Sequence, residues 1–238
     1  NNGSGHNASF SPTEFGSTFD PGSWCCSTGQ PVAAMIGVID YGLGNLTSVA
    51  GAVQKVGFEP VISSEAADLG RCEKLILPGV GAFGDGMRNL NDRGLVLPLT
   101  KMVMERRMPV LGICLGFQLL AKSSSEFGNN NGLGWLDARV SRLQPDDPAL
   151  RIPHVGWNEL YQKGDSILFD DIPELPLFYY VHSYKLETSA VETVIGECDY
   201  GGTFAAAIQS GSIFGTQFHP EKSQLHGLTL LKNFLEKA

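Results

Sequence analysis

The chain has 238 residues, 42% of them hydrophobic and 18% charged, which suits one substantial core and leaves little room for a second independent domain. Its formal net charge of −8 offers no clustered positive face for a phosphate backbone, which argues against a nucleic-acid binder, and no apolar run approaches a membrane span. The five cysteines (Cys25, Cys26, Cys72, Cys114 and Cys198) are odd in number and lack zinc-type spacing, so a reducing compartment is expected.

Residues 1–34 are rich in Gly, Ser, Asn, Thr and Pro and hold no Lys or Arg, and they read as a disordered extension or a non-native segment. The lack of Arg speaks against a transit peptide. Met35 is then a natural start, because Met35-Ile36-Gly37-Val38-Ile39-Asp40 is at once a buried strand. Tyr41-Gly42-Leu43-Gly44-Asn45 follows it and superficially matches a dinucleotide fingerprint. Thr47 stands at the third glycine position, however, and no acidic residue closes a second strand, so a tight strand-to-helix turn suffices and no cofactor is expected.

A helix over 45–56, strands at 60–62 and 74–77, a helix over 95–106 and a strand at Val110 come next. Alternation of this kind implies a parallel sheet with helices on both faces. The Ser- and Asn-rich stretch 123–131 reads as a surface loop. Past about residue 136 the pattern changes to short strands at 138–143, 177–181, 191–197, 204–209 and 212–218. The last stretch, 227–237, is an amphipathic helix carrying Leu228, Leu231, Phe234 and Leu235.

Gly112-Ile113-Cys114-Leu115-Gly116 has the form of a nucleophile elbow with sulfur in place of oxygen, directly after the apolar Pro109-Val110-Leu111. A helix starting at Leu115 puts its dipole and free amides beside the sulfur, which favours the thiolate. His219 and Glu221, in Phe218-His219-Pro220-Glu221, follow another strand and supply a base and its orienter. A lone cysteine is more often a buried hydrophobe, but all three residues fall at C-terminal strand ends, where open α/β sheets build their sites. Leu77-Pro78-Gly79-Val80-Gly81-Ala82-Phe83 follows a third buried strand and can turn backbone N–H groups toward an oxyanion, with the Leu115 amide as second donor. The chemistry is then attack of Cys114 on a carboxamide, with His219 protonating the departing ammonia and afterwards activating water. The five histidines show no paired ligand spacing, so no metal is expected.

Gly112 to Gln118 together with Phe218-His219-Pro220-Glu221 resembles the Cys-His-Glu signature of the class I, or triad, glutamine amidotransferases, from residue 35 to the C-terminus. Within that family the runs 40–45, 78–83, 153–158, 180–184 and 219–224 resemble the glutaminase subunits of imidazole glycerol phosphate synthase. The resemblance implies a flavodoxin-like three-layer α/β/α fold with a central, mostly parallel sheet over 35–238. It further implies hydrolysis of glutamine, with ammonia tunnelled to a (β/α)8-barrel cyclase subunit in histidine biosynthesis. By carry-over Gly81, Gln118, His182, Ser183 and Tyr184 help hold glutamine, and Gly79, Val80 and Leu115 border the oxyanion hole. Asn45, Trp157, Tyr180 and Lys222 lie toward the partner. The family also implies weak glutaminase activity in the isolated subunit, because the Gly79-Val80 peptide must reorient before its N–H faces the oxyanion.

Two alternatives stay open at this level: another triad amidotransferase feeding a different synthase, and a catalytically silent module that keeps the fold as a scaffold. The His182-Ser183-Tyr184 and Lys222-Ser223-Gln224 runs argue against the first, and the intact Cys114, His219 and Glu221 against the second. The extension at 1–34 has no family counterpart. The expected location is the cytoplasm, with the plastid stroma not distinguished from it.

Overall fold

The structure, a computed structural model, describes residues 34–238, so the expectations for the segment before them and for Cys25 and Cys26 lie outside the described residues. The first half alternates: β1 (Met35–Ile39), α1 (Leu46–Lys55), β2 (Glu59–Ser63), α2 (Ala66–Leu69), β3 (Lys74–Leu77), α3 (Phe83–Asp92), α4 (Val96–Thr100), β4 (Val110–Ile113) and α5 (Leu115–Leu119). Ten strands and the last α-helix follow in the second half. They are β5 (Ser123–Ser124), β6 (Asn130–Asn131), β7 (Ala138–Arg142), β8 (His154–Glu159), β9 (Tyr161–Gln162), β10 (Leu177–His182), β11 (Tyr184–Thr188), β12 (Val194–Asp199), β13 (Thr203–Ser210), β14 (Ile213–Thr216) and α6 (Gln224–Lys237).

The main sheet runs β2-β1-β3-β4-β14-β13-β11-β7-β5-β6, with β12 on β13 and β9 on β12. From β2 to β14 every neighbouring pair is parallel. From β14 outward the pairing is antiparallel except between β5 and β7. Strands β8 and β10 form a separate antiparallel pair. Side chains of the parallel strands alternate between two cores, as a period of two requires. Ile36, Val38, Ile76, Leu111, Ile113 and Phe214 pack with α1 and α6. Ile39, Leu75, Leu77, Val110 and Ile213 pack with α3, α4 and α5 on the other face. This is the three-layer α/β/α arrangement, and it brings the C-terminal ends of β1, β3, β4 and β14 to one edge.

Local chemistry accounts for the main elements. Asn45 caps α1, its side chain accepting from the Ser48 N–H at 3.3 Å. The buried Lys74 at the start of β3 donates to the Phe234 and Leu235 carbonyls at 3.1 and 2.9 Å, satisfying the end of α6 with a cation. The helix expected over 95–106 is α4 continued by a π-helical turn, Lys101–Glu105. In the stretch 191–197 the first three residues, Val191–Thr193, form a 3-10 turn, and the strand begins only at Val194. The stretch 123–131 is not simply a surface loop, as its two short strands pair with each other and bury Ser124 and Glu126. Among the described residues no helix is long and apolar enough to cross a membrane.

Candidate active site

Strand β4 is buried along its whole length and delivers the chain to Cys114 at φ 55 and ψ −108, a left-handed conformation for a residue with a side chain. Such a conformation costs on the order of 1–3 kcal/mol and persists because its surroundings impose it. The Cys114 N–H donates to the Thr216 carbonyl on neighbouring β14 at 2.8 Å. Two missing side chains complete the turn: a Cβ on Gly116 would run into the Leu77 carbonyl, and one on Gly112 would lie 2.8 Å from the Phe117 Cα. Cys114 is 6% exposed, and its sulfur faces the Val181 carbonyl at 3.7 Å.

His219 and Glu221 follow β14, adjacent to β4. His219 Nδ1 and Glu221 Oε1 are 2.8 Å apart, and both side chains are buried. The backbone around them is pinned from two sides. The His219 N–H donates to the Tyr179 carbonyl at 2.9 Å, and the Ser223 hydroxyl donates to the His219 carbonyl at 2.6 Å. His219 Nε2 and Glu221 Oε2 have no hydrogen-bond partner, which leaves the imidazole with one ring nitrogen available for proton transfer. Burial works against a charged His219, but the Cys114 sulfur and the Glu221 carboxylate outweigh it and lift its pKa to about 9.

Cys114 opens onto a cavity of about 260 Å³ lined by Val80, Gly81, Leu115, Gln118, Glu126, His182, Ser183 and Tyr184. Gln118 spends both amide hydrogens on protein, donating to the Tyr184 carbonyl at 2.9 Å and to Gln217 Oε1 at 3.0 Å. Only its oxygen remains for a ligand. Glu126 is buried and its Oε2 accepts the Phe83 N–H at 2.7 Å, at the start of α3. Burial raises the Glu126 pKa, the Phe83 N–H opposes that rise, and the nearby Asp85 adds to it. On the other wall Leu115 N–H donates to the Gly79 carbonyl at 3.4 Å, so the expected second oxyanion donor is occupied in this conformation.

Below the cavity two buried histidines are coupled. The Tyr184 carbonyl can only accept, so His182 Nδ1, at 2.9 Å from it, carries the proton. His182 Nε2 then accepts from His154 Nδ1 at 3.1 Å, and His154 Nε2 accepts from Asn158 at 3.4 Å. His154 lies between the rings of Tyr180 and Tyr200, with centroids 4.9 and 3.9 Å away. Burial holds His154 down to about 4, and burial together with His154 and His219 holds His182 down to about 3.

The three triad candidates and the eight residues expected at the oxyanion and glutamine sites therefore converge on one place. The four residues expected toward a partner do not all reach the surface. Asn45 is committed to capping α1, while Trp157 is exposed and Lys222 Nζ sits 5.8 Å from the Tyr179 ring. Tyr180 is fully buried against His154, and the alternation of β10 turns its neighbour Tyr179 outward to meet Trp157 at 6.0 Å. Glu126, Gln217 and His154 went unassigned in the sequence reading. Gln217 immediately precedes Phe218-His219 and His154 lies in the quoted Pro153–Asn158 run, so both had a positional signal, whereas Glu126 had none.

Comparison with known proteins shows the family. The family model for glutamine amidotransferase class-I matches residues 37–238. The imidazole glycerol phosphate synthase subunit HisH of Leptospira interrogans is 43% identical over 202 residues, 84% of this chain and 98% of that protein. The subunit of the same name from Moorella thermoacetica is 46% identical over 202 residues, 84% of this chain and 94% of its own length. A solved glutamine amidotransferase superposes with a TM-score of 0.66 at 21% identity, covering 84% of this chain and 97% of its own. The structure of PurLQS from Thermotoga maritima gives 0.65 at 21% identity, over 85% and 98%. These two likenesses establish the fold.

Proposed function

The chain belongs to the class-I glutamine amidotransferase family, and we propose that it acts there as the glutaminase subunit of an imidazole glycerol phosphate synthase. The observation that carries the reading is the buried His219–Glu221 pair, 2.8 Å apart, beside a cysteine held at φ 55. Residues 35–238 form the amidotransferase domain, and residues 1–34 are an added segment.

Glutamine enters the cavity with its side-chain carboxamide at Cys114. Its α-ammonium group faces the Glu126 carboxylate and the free Gln118 oxygen, and Gly81, Ser183 and Tyr184 close around the remainder. The Cys114 sulfur attacks the carboxamide carbon while His219 gives a proton to the nitrogen, and ammonia leaves. His219 then takes a proton from water, whose oxygen attacks the thioester, and glutamate departs as the sulfur is released. Glu221 holds the imidazole by its Nδ1 and balances its charge. Rotation of the Gly79-Val80 peptide frees the Leu115 N–H and turns the Val80 N–H inward, so that both meet the oxyanion.

The ammonia is passed to a (β/α)8-barrel cyclase subunit, which forms imidazole glycerol phosphate. Trp157, Tyr179 and Lys222, with Asn45 nearby at the same sheet edge, form the face for that partner. The free thiols of Cys72, Cys114 and Cys198 support a reducing location such as the cytoplasm or the plastid stroma. The decisive assay measures glutamate release with and without the cyclase and its nucleotide ligand. Strong stimulation by the complex is expected, and equal turnover in both conditions sinks the coupling.

A further inference from the structure

Gln217 lies two residues before His219, and its side chain has no solvent exposure. A buried primary amide is costly unless its oxygen and its N–H groups are partnered, and an apolar side chain of the same length would fill the space without that cost. The partners of this amide are specific. Gln118 Nε2 donates to the Tyr184 carbonyl at 2.9 Å and to Gln217 Oε1 at 3.0 Å. The Tyr184 carbonyl has no proton to give, so it fixes which end of the Gln118 amide is nitrogen, and Gln118 in turn fixes Gln217 with its oxygen toward Gln118. The remaining end, Gln217 Nε2, faces Cys114 Sγ at 3.8 Å. The Gln217 backbone is held too, its N–H donating to the Ala206 carbonyl at 2.8 Å.

We propose that Gln217 is a dedicated hydrogen-bond donor to the Cys114 sulfur, stabilising it as thiolate and aiming it into the cavity, with Gln118 locking the donor from behind. This rests on the reading of Cys114 as the nucleophile. The donor acts at two points of the cycle, on the thiolate before attack and on the thiolate released when water cleaves the thioester. It also links two jobs in one network, since the residue that offers an oxygen to glutamine is the residue that orients the amide on the sulfur. A thiolate flanked only by His219 would depend on the charge of the imidazole. A neutral amide supplies part of that stabilisation whatever the state of His219.

Other ionisable groups face the sulfur as well. They are His219 with Glu221 behind it after β14, Tyr41 from the turn after β1, His182 at the end of β10, and Glu126 across the cavity. None of them is altered by a change at Gln217, so the test isolates the donor. The rate of Cys114 alkylation by iodoacetamide is followed against pH in the full chain, without glutamine or partner, and the labelled site is mapped by peptide mass. The chain also carries Cys25, Cys26, Cys72 and Cys198, so only the label on the peptide that holds Cys114 is counted.

In Gln217→Met the donor is gone at similar volume, and the alkylation profile is expected to move to higher pH by about one unit, a roughly tenfold loss of rate at neutral pH. In Gln217→Glu the Gln118 contact survives but a carboxylate oxygen meets the sulfur, and the displacement is expected to be larger. A merely structural role lowers the melting temperature of these variants and leaves the profile in place, and that result overturns the proposal. If Gln217→Met does not fold, the near-isosteric Gln217→Glu decides. If neither folds, Gln118→Met, which unties the Gln217 amide in an assay that needs no glutamine, must show a smaller displacement in the same direction. Alkylation needs no glutamine, so the two readings fail separately. A displaced profile in a chain that releases no glutamate even with the cyclase and its nucleotide ligand sinks the glutaminase reading alone, and an undisplaced profile in a chain active in that complex sinks the donor alone.

Discussion

The Gly79 carbonyl accepts the Leu115 N–H at 3.4 Å, so the backbone group best placed to meet an oxyanion is engaged with the loop opposite. The bond is long, and the loop that makes it carries the half-exposed Val80. A shift of one peptide plane would release Leu115 and supply Val80 in the same movement. Proline at position 80 removes the N–H that this movement would deliver. Val80→Pro is therefore expected to lower glutaminase kcat in the complex by roughly 100- to 1,000-fold, as for loss of one oxyanion donor. Synthesis from added ammonium salts should be unaffected. Full glutamine-dependent turnover in this variant would remove Val80 from the oxyanion site.

Replacing Cys114 with alanine is expected to abolish ammonia release from glutamine while the complex still uses ammonium salts. It has a second, spectroscopic consequence. Burial disfavours a charged His219, and the sulfur and Glu221 together overcome this to give a pKa of about 9. Without the sulfur, the His219 imidazole followed by NMR should titrate at lower pH than in the parent chain. The folded value lies above the ordinary ~6.5 of the unfolded chain, so this group's stabilisation is complete below about 6.5 and declines as pH rises through about 9. Identical His219 titrations in both chains would show that the sulfur does not act on it.

The histidine pair beneath the cavity predicts the opposite limb. His154 and His182 stay neutral in the folded chain down to about 4 and about 3, while in the unfolded chain each binds a proton near 6.5. Their stabilisation is present above about 6.5 and is lost as pH falls, by up to about 1.4 kcal/mol per pH unit for each group. Urea unfolding between pH 4.5 and 7 should show this slope. His154→Gln should make it shallower, even though loss of the stacking with Tyr180 and Tyr200 lowers stability at every pH. An unchanged slope would mean that His154 is not the group taking up the proton.

Glu126 offers a test of substrate recognition. Its Oε2 is held by the Phe83 N–H, and the carboxylate lines the cavity that holds Cys114. Glutamine at position 126 keeps the shape and an oxygen for Phe83 but loses the charge that attracts an α-ammonium group. The KM for glutamine should rise about 10- to 100-fold, the worth of a charge-assisted hydrogen bond, with a much smaller change in kcat. A fall in kcat alone would place Glu126 in the scaffold and not on the substrate.

Much of the site was legible in the sequence because its residues sit where the chain must change direction. Gly112 and Gly116 around Cys114 and Pro220 between His219 and Glu221 are backbone signals, and they fall beside apolar strand runs that are easy to read. The elements that escaped lack such contrast. Helix α3 begins Phe83-Gly84-Asp85-Gly86, which resembles more turn, yet Gly86 is there to let α3 approach Leu119 of α5. Strand β8 alternates buried and open positions with glycine, tryptophan and asparagine among them, and only its pairing with β10 reveals it. Tyr180 and Tyr179 illustrate the limit most clearly. Nothing in the order of two adjacent tyrosines says which one faces out, and the register of β10 against β8 decides it.

The elbow depends on atoms that are absent. A methyl group on Gly116 would strike the Leu77 carbonyl, and any side chain on Gly112 would push against Phe117. A Cβ on Gly215, one strand over, would collide with the Phe117 ring. Phe117 is thus clamped by two hydrogens where most strands carry carbon, and it anchors the helix that begins beside the sulfur. The mutational fragility of such an enzyme should therefore extend beyond the residues that touch substrate. Three inconspicuous glycines, remote from any chemistry of their own, should prove as intolerant of change as the triad they position.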